Sequence, residues 1–340
     1  MLKNGLIPLA LLLAIAAHAS EPIIDIHLHA YDTSFVKNYG DKKRVGWCTS
    51  PEQMVAWDPH EPYSKRWEEH TSNPACADPV WMPGTDEEIL DETVRILDKF
   101  NIYGVASGAP ETVSRFVDRA DGRLLPALRF ALDLDGQEFS VAEVEELHSQ
   151  GLVTVFGEIR NHYSGVSPTD PRMEPYWALA EKLDIPVGIH FGPGPQGSPY
   201  LGHKKYRAHM HSVMALEDVL VKHPNLRVQV MHASYPMLDD ILALLYVYPN
   251  VYVDTAAIVW VLPRAEFYRY LKTIVEAGYG NRVMFGSDNM VWPGVIERSV
   301  EVIRDAPFLS EQQKRDIFYN NAARFLRLSD QEIELHHSGD

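Results

Sequence analysis

Short apolar runs recur along the chain with amphipathic stretches between them. They are Ile23–His29, Ile102–Ser107, Leu124–Phe130, Val153–Ile159, Pro186–Phe191, Arg227–His232, Asn250–Asp254 and Arg282–Ser287. Most are nearly continuous rather than alternating, which is the pattern of strands covered on both faces in a parallel sheet. The stretches between them carry helix signals. Thr85-x-x-Glu88 reads as a capping box opening Asp86–Phe100, with Ile89, Thr93, Ile96 and Phe100 on one face, and Ser140-x-x-Glu143 opens a second such helix. Further helices are expected over Pro110–Ala120, Glu174–Leu183, Ser212–Lys222, Met237–Tyr246, Arg264–Ala277, Val295–Arg304 and Ser310–Leu326. Eight alternations of strand and helix predict an α/β fold, a single (β/α)8 TIM barrel.

Two connections are longer than turns. Residues 30–84 follow the first strand and hold Trp47, Trp57, Trp67, Trp81 and both cysteines; residues 192–211 follow the fifth and are rich in Gly and Pro. Both leave the C-terminal ends of strands, where barrel active sites lie, so a lid at 30–84 and a pocket wall at 192–211 are expected. Tyr31, Trp47 and Trp67 are candidates for an apolar or aromatic pocket.

Composition narrows the partners. The chain of 340 residues is 46% hydrophobic and carries a net charge of -16, so it is neither disordered nor suited to nucleic acid or an anionic membrane. Lys3, the apolar run Leu6 to Ala17 and the small-x-small triplet Ala17-His18-Ala19 read as a signal peptide over 1–19, with the mature domain at 20–340 exported, in the periplasm. In an oxidising compartment the only two cysteines, Cys48 and Cys76, read as a disulfide, worth roughly 3–4 kcal/mol on the chain-entropy model. A small-molecule substrate is the expected partner; association into a homo-oligomer is left open.

The chemistry gathers where strands stop. Asp25-Ile26-His27-Leu28-His29 ends the first strand, and a two-residue period sends His27 and His29 to the same side. Gly157-Glu158-Ile159-Arg160 ends the fourth, His190 the fifth, His232 the sixth, and Gly286-Ser287-Asp288 the eighth. In a closed barrel these groups converge on one centre, as a metal site requires. Arg160, His162 and Tyr163 after the fourth strand, and Arg129 at the end of the third, are candidate substrate contacts, since a guanidinium pairs with a carboxylate. His203, His209 and His211 lie in a polar loop and are expected to be solvated.

The order HxH, GEI, H, H, GSD, closed by Tyr319-Asn320-Asn321-Ala322-Ala323-Arg324-Phe325, resembles the amidohydrolase superfamily, in the amidohydrolase-related branch that includes aminocarboxymuconate-semialdehyde decarboxylase. The resemblance runs from about Ile23 to Leu328. It implies that His27, His29, His190 and Asp288 hold a divalent metal, zinc first, with Glu158 at a position where some relatives bridge two ions and many carry a carboxylated lysine; one metal or two stays open. It implies that His232 is a further ligand or polarises the substrate, and that Asp288 is the general base. The expected activity is metal-dependent hydrolysis of an amide, ester or lactone, the alternative a non-oxidative decarboxylation of an aromatic or muconate-type acid. Decarboxylases of this kind commonly place an acid three residues after the sixth-strand histidine, and here Tyr235 stands there. Thiol labelling of the unreduced, denatured protein is expected to find no reactive cysteine, and N-terminal sequencing of the exported chain is expected to begin at Ser20.

Overall fold

The computed structural model describes residues 21–39, 45–134 and 136–338; the expected signal peptide lies outside them. Eight parallel strands follow one another round a barrel: β1 Ile23–Ala30, β2 Ile102–Gly108, β3 Leu124–Phe130, β4 Val155–Ile159, β5 Val187–His190, β6 Val228–Met231, β7 Val251–Asp254 and β8 Val283–Met284. Each strand pairs with its sequence neighbour. Between β8 and β1 the circle is joined by two backbone bonds, Ile26 N–H to Phe285 C=O at 3.0 Å and Asp288 N–H to His27 C=O at 2.8 Å. β8 is shorter than the apolar run predicts: beyond Met284 the chain still bonds to its neighbours but leaves regular strand geometry, and Asp288 has a φ of 53°.

β1 carries two kinds of residue on its inner face. Ile24 and Ile26 join Val105, Ala127, Val155 and Met284 in the cluster filling the lower barrel, while Ile23, Leu28 and Ala30 pack outward against the helices. Strict alternation would then turn His27 and His29 outward. A register shift between Asp25 and Leu28 inserts an extra residue and reverses the parity, so both imidazoles enter the mouth.

The helices form where expected, with local departures. Ser140 and Glu143 make the full reciprocal cap, but at Thr85 only one half forms: Glu88 N–H donates to Thr85 Oγ1 while the Glu88 carboxylate accepts from Gly84 N–H. The expected helix Ser310–Leu326 is interrupted by a wider turn over Asp316–Asn320, and the one over Ser212–Lys222 begins as a 3-10 turn. A helix the apolar pattern does not announce, Asp330–Ser338, seats His336 against the Tyr103 ring, 3.6 Å between centroids, at the N-terminal end of β2. The connection after β1 folds into a helix, Tyr63–Ser72, and a two-stranded antiparallel pair, Gly46–Trp47 with Val80–Trp81, and Cys48 is bonded to Cys76. Among the described residues no helix is long and apolar enough to cross a membrane.

Phe156, fully buried on β4 and edge-on to Phe130, tests the outer packing layer. Phe156→Ala is expected to cost about 3–5 kcal/mol in urea denaturation, through the cavity left behind.

Candidate metal centre

Six side chains from five strand ends meet at the mouth. Overlapping triads, His27 with His232 and Asp288, His27 with His29 and Glu158, and Glu158 with His190 and His232, bring their ligand atoms within 4.8 Å of one another. His29 Nε2 lies 2.9 Å from Asp288 Oδ1 and 3.6 Å from Glu158 Oε2, and His27 Nε2 lies 3.9 Å from Asp288 Oδ1. His190 Nδ1 lies 2.6 Å from Glu158 Oε1 and 3.1 Å from His232 Nε2.

The outer nitrogens set the inner ones. His27 Nδ1 faces Asp254 Oδ2 at 3.1 Å and His232 Nδ1 faces the Ala256 carbonyl at 2.8 Å; both oxygens only accept, so each Nδ1 carries a proton, which leaves Nε2 for a metal once His27 sheds its second proton. His29 Nδ1 lies 3.0 Å from the Ser107 hydroxyl, which can give or accept a proton, and 3.4 Å from the Ser107 carbonyl, while its Nε2 faces Asp288. His27 Nε2 is buried with no hydrogen-bond partner. Three imidazoles with Nε2 turned inward beside two carboxylates are the donor set of a divalent cation, once it displaces the protons those nitrogens hold, with an outer layer of oxygens orienting the rings.

Charge balance leads to the same place. Burial disfavours every charge here, yet Asp288, Asp254 and Glu158 outweigh it at His27 and push that imidazole up to about 9. Burial also works against Asp288, which His27 and His29 hold down at about 2. Glu158 stays well below the usual carboxylate range despite burial, through Arg160, His190 and His29. Burial and His232 push His190 down to about 3. Without a metal, the proton on His27 is the main local answer to three buried carboxylates, and a divalent cation would replace it.

Above the cluster opens a chamber of about 440 Å³. His29, Glu158, His190 and Asp288 line its base, Tyr31, Trp67 and Trp292 its walls. Trp47 packs against Trp67, Trp260 and Trp292 at centroid separations of 5.5, 5.9 and 5.6 Å. Tyr63, Arg66, Trp67 and His70, spaced along one face of the helix Tyr63–Ser72, all line the chamber. That helix is fastened to the loop after β5 by Tyr63 OH donating to Gln196 C=O at 2.5 Å.

Of the expected substrate contacts, Arg160 lines the chamber, with Nε 3.5 Å from Glu158 Oε2 and its guanidinium 4.5 Å from the centre of the Tyr163 ring. Arg129 and His162 do not line it. Arg129 stands behind Tyr31, donating to its hydroxyl at 2.9 Å, and His162 stacks on the far side of His190 with ring centroids 4.3 Å apart. A β3 or β4 position names the strand end, but not the depth to which a long side chain reaches. In the loop after β5, His211 is buried and 2.7 Å from Tyr206 OH, contrary to expectation, while His209 is exposed. The polar run hides the fact that this loop folds back over β5.

Two contributors escaped sequence reading. Asp254 closes β7 and meets His27 Nδ1, the His232 N–H at 2.7 Å, the Ala256 N–H at 3.0 Å and the Gln229 amide at 2.5 Å. Its place at the end of a strand was the available signal. Arg66 had none, because only the folded helix turns it toward the chamber.

The raised value at His27 has a measurable sign. A group whose folded value, about 9, exceeds its ordinary 6.5 contributes stability that is fully present below pH 6.5 and lost as pH rises through 9. Chelator-treated protein is therefore expected to lose thermal stability between pH 6.5 and 9. Metal-loaded protein is expected to lose much less, since the cation stands in for that proton.

The comparisons with known proteins follow from this geometry. The family model described as amidohydrolase matches residues 24–328. No curated protein sequence matches the chain. Among solved structures, 5-carboxyvanillate decarboxylase from Sphingomonas paucimobilis is 16% identical with a TM-score of 0.56, over 91% of this chain and 100% of its own. The same enzyme from Novosphingobium aromaticivorans, complexed with manganese and 4-hydroxy-3-methoxy-5-nitrobenzoic acid, is 13% identical with a TM-score of 0.56, over 90% and 96%. A probable 2-pyrone-4,6-dicarboxylic acid hydrolase from Acinetobacter baumannii is 14% identical with a TM-score of 0.55, over 90% and 99%. The structural likenesses carry the barrel fold, the family match spans nearly the whole described chain, and by that match the protein belongs to the amidohydrolase family.

Proposed function

We propose that the protein is a metal-dependent, non-oxidative decarboxylase of a small aromatic carboxylic acid. The observation that carries this reading is the chamber itself: aromatic walls enclose the space over the ligand cluster, and Arg66 enters it with no ion-pair partner among the described residues. An aromatic ring suits the walls and a carboxylate suits the guanidinium. The decarboxylases among the similar folds support the same choice over hydrolysis, which is the reading first suggested by the motif order.

His27, His29, His190 and Asp288 would hold the cation, with Glu158 and His232 completing the set. When bound, the cation supplies positive charge that fixes the substrate's oxygens and offsets negative charge developing on the ring. The walls exclude water and Arg66 orients the acid from the helix Tyr63–Ser72, which acts as a lid. Asp288, ionised at the base of the chamber, takes a proton from solvent and passes it to the ring carbon as that carbon's bond to the carboxylate breaks, so that the arene and carbon dioxide leave. Tyr235 stands where the acid is expected three residues after His232; Glu266, from another element and paired with Arg269, accepts from the Tyr235 hydroxyl at 3.3 Å, and both Tyr235 and Glu266 line the chamber. The disulfide supports export to an oxidising compartment.

Hydrolysis is the second reading, since Asp288 could equally take a proton from water at the cation, and one similar fold belongs to a probable pyrone hydrolase. Metal-reconstituted protein screened against hydroxylated and methoxylated benzoic acids, and in parallel against pyrones, lactones and esters, separates the two. The expected products are carbon dioxide and the protonated arene; hydrolysis alone would overturn the first reading. With the substrate so found, Asp288→Asn is expected to keep metal and lower kcat by about 10²–10⁴. Arg66→Gln is expected to raise KM about tenfold with kcat nearly unchanged.

A further inference from the structure

The seam between β8 and β1 is joined by two backbone bonds rather than a paired ladder, and it carries three of the candidate ligands, His27, His29 and Asp288. The Asp288 N–H donates to the His27 carbonyl, as a parallel strand would. The next rung cannot form from the backbone, because Asp288 takes a left-handed φ of 53° and Met290 one of 45°, and the chain swings away from β1.

A side chain takes the place of that rung. Asn289, fully buried, accepts the His29 N–H on its Oδ1 at 2.8 Å, and its Nδ2 donates to the His29 carbonyl at 3.4 Å. A primary amide has the donor and acceptor of a peptide group, so it can pair with a strand as a peptide would. Other bonds secure the same turn: Ser287 N–H donates to Asp25 Oδ1 at 3.0 Å, Trp260 Nε1–H to the Ser287 carbonyl at 2.6 Å, and Trp292 N–H to the Asn289 carbonyl at 2.8 Å. Of these, only the Asn289 side chain links the residue beside Asp288 directly to the main chain of His29, whose ring stands 2.9 Å from the Asp288 carboxylate.

We infer that Asn289 is a positioning residue of the metal centre, a side-chain amide that completes the β1–β8 ladder and sets the separation of His29 and Asp288. It touches neither cation nor substrate; it acts through the backbone of one ligand and the neighbour of another. Second-layer groups of this kind typically carry 10–100-fold of metal affinity. The inference depends on the ligand cluster and not on the choice between decarboxylation and hydrolysis, so it can fail or hold independently of that choice.

The test is the affinity of the metal-free protein for zinc, measured by competition with a chromophoric chelator, beside the melting temperature of each metal-free variant. Asn289→Leu keeps the volume and removes the acceptor, and should weaken zinc binding at least tenfold. Asn289→Asp keeps an oxygen for the His29 N–H, and should bind within about threefold of the natural protein. A merely structural role would lower the melting temperature of Asn289→Leu and leave its zinc affinity unchanged. That result overturns the inference, as does an equal loss in both variants. If Asn289→Leu does not fold, Asn289→Ala takes its place with the same expected loss.

Discussion

Three buried carboxylates, Asp254, Asp288 and Glu158, share the mouth of the barrel with four imidazoles, and the cost of removing that much charge from water governs the surrounding structure. An isolated buried carboxylate would neutralise itself by taking up a proton. Here each stays ionised because a donor lies against it: His27 and the His232 N–H on Asp254, His29 on Asp288, His190 and Arg160 on Glu158. The arrangement is poised for a cation, and the strands converge so that one ion can be shared among several of them.

That requirement accounts for irregularities that would otherwise look like defects. The bulge in β1 reverses the strand's parity so that apolar residues fill the lower barrel while histidines occupy its mouth. His232, Ala233 and Ser234 all have positive φ, at 57°, 47° and 59°, an unfavourable run for residues other than glycine; it is held by the Asp254 carboxylate on the His232 N–H and by Ser234 Oγ donating to the His211 carbonyl at 2.6 Å. Asp288 is left-handed as well and is followed by an asparagine that supplies a missing rung. The ladder is disturbed where the ligands are presented, and side chains make up the hydrogen bonds that the backbone gives away.

The connection after β1 follows the same logic of placement. The helix Tyr63–Ser72 has few apolar residues of its own, and it gains stability from the aromatic cluster of Trp47, Trp67, Trp260 and Trp292, the Tyr63 bond to the loop after β5, and the disulfide in its connection. The groups that shape the chamber are therefore also those that hold the connection on the barrel, so the chamber's shape and the stability of that connection are tied to the same residues.

Much of this was legible in one dimension, and the reason is local. Apolar continuity marks a strand buried on both faces, a helix announces itself by period and cap, and a barrel sends every strand's C-terminal end to one rim; His27, His29, Glu158, His190, His232 and Asp288 could therefore be grouped from their places in the chain alone. Folding decided what depends on distance between elements. Arg66 faces the chamber because of a helix docked across the mouth, Glu266 reaches Tyr235 from another element, Arg129 and His162 fall behind the first layer, and Asp254 and Asn289 act on residues 227 and 260 positions away. Periodicity tells which way a side chain points along its own strand, but a hydrogen bond closes over about 3 Å of space, and only the folded chain sets which distant residues come that near.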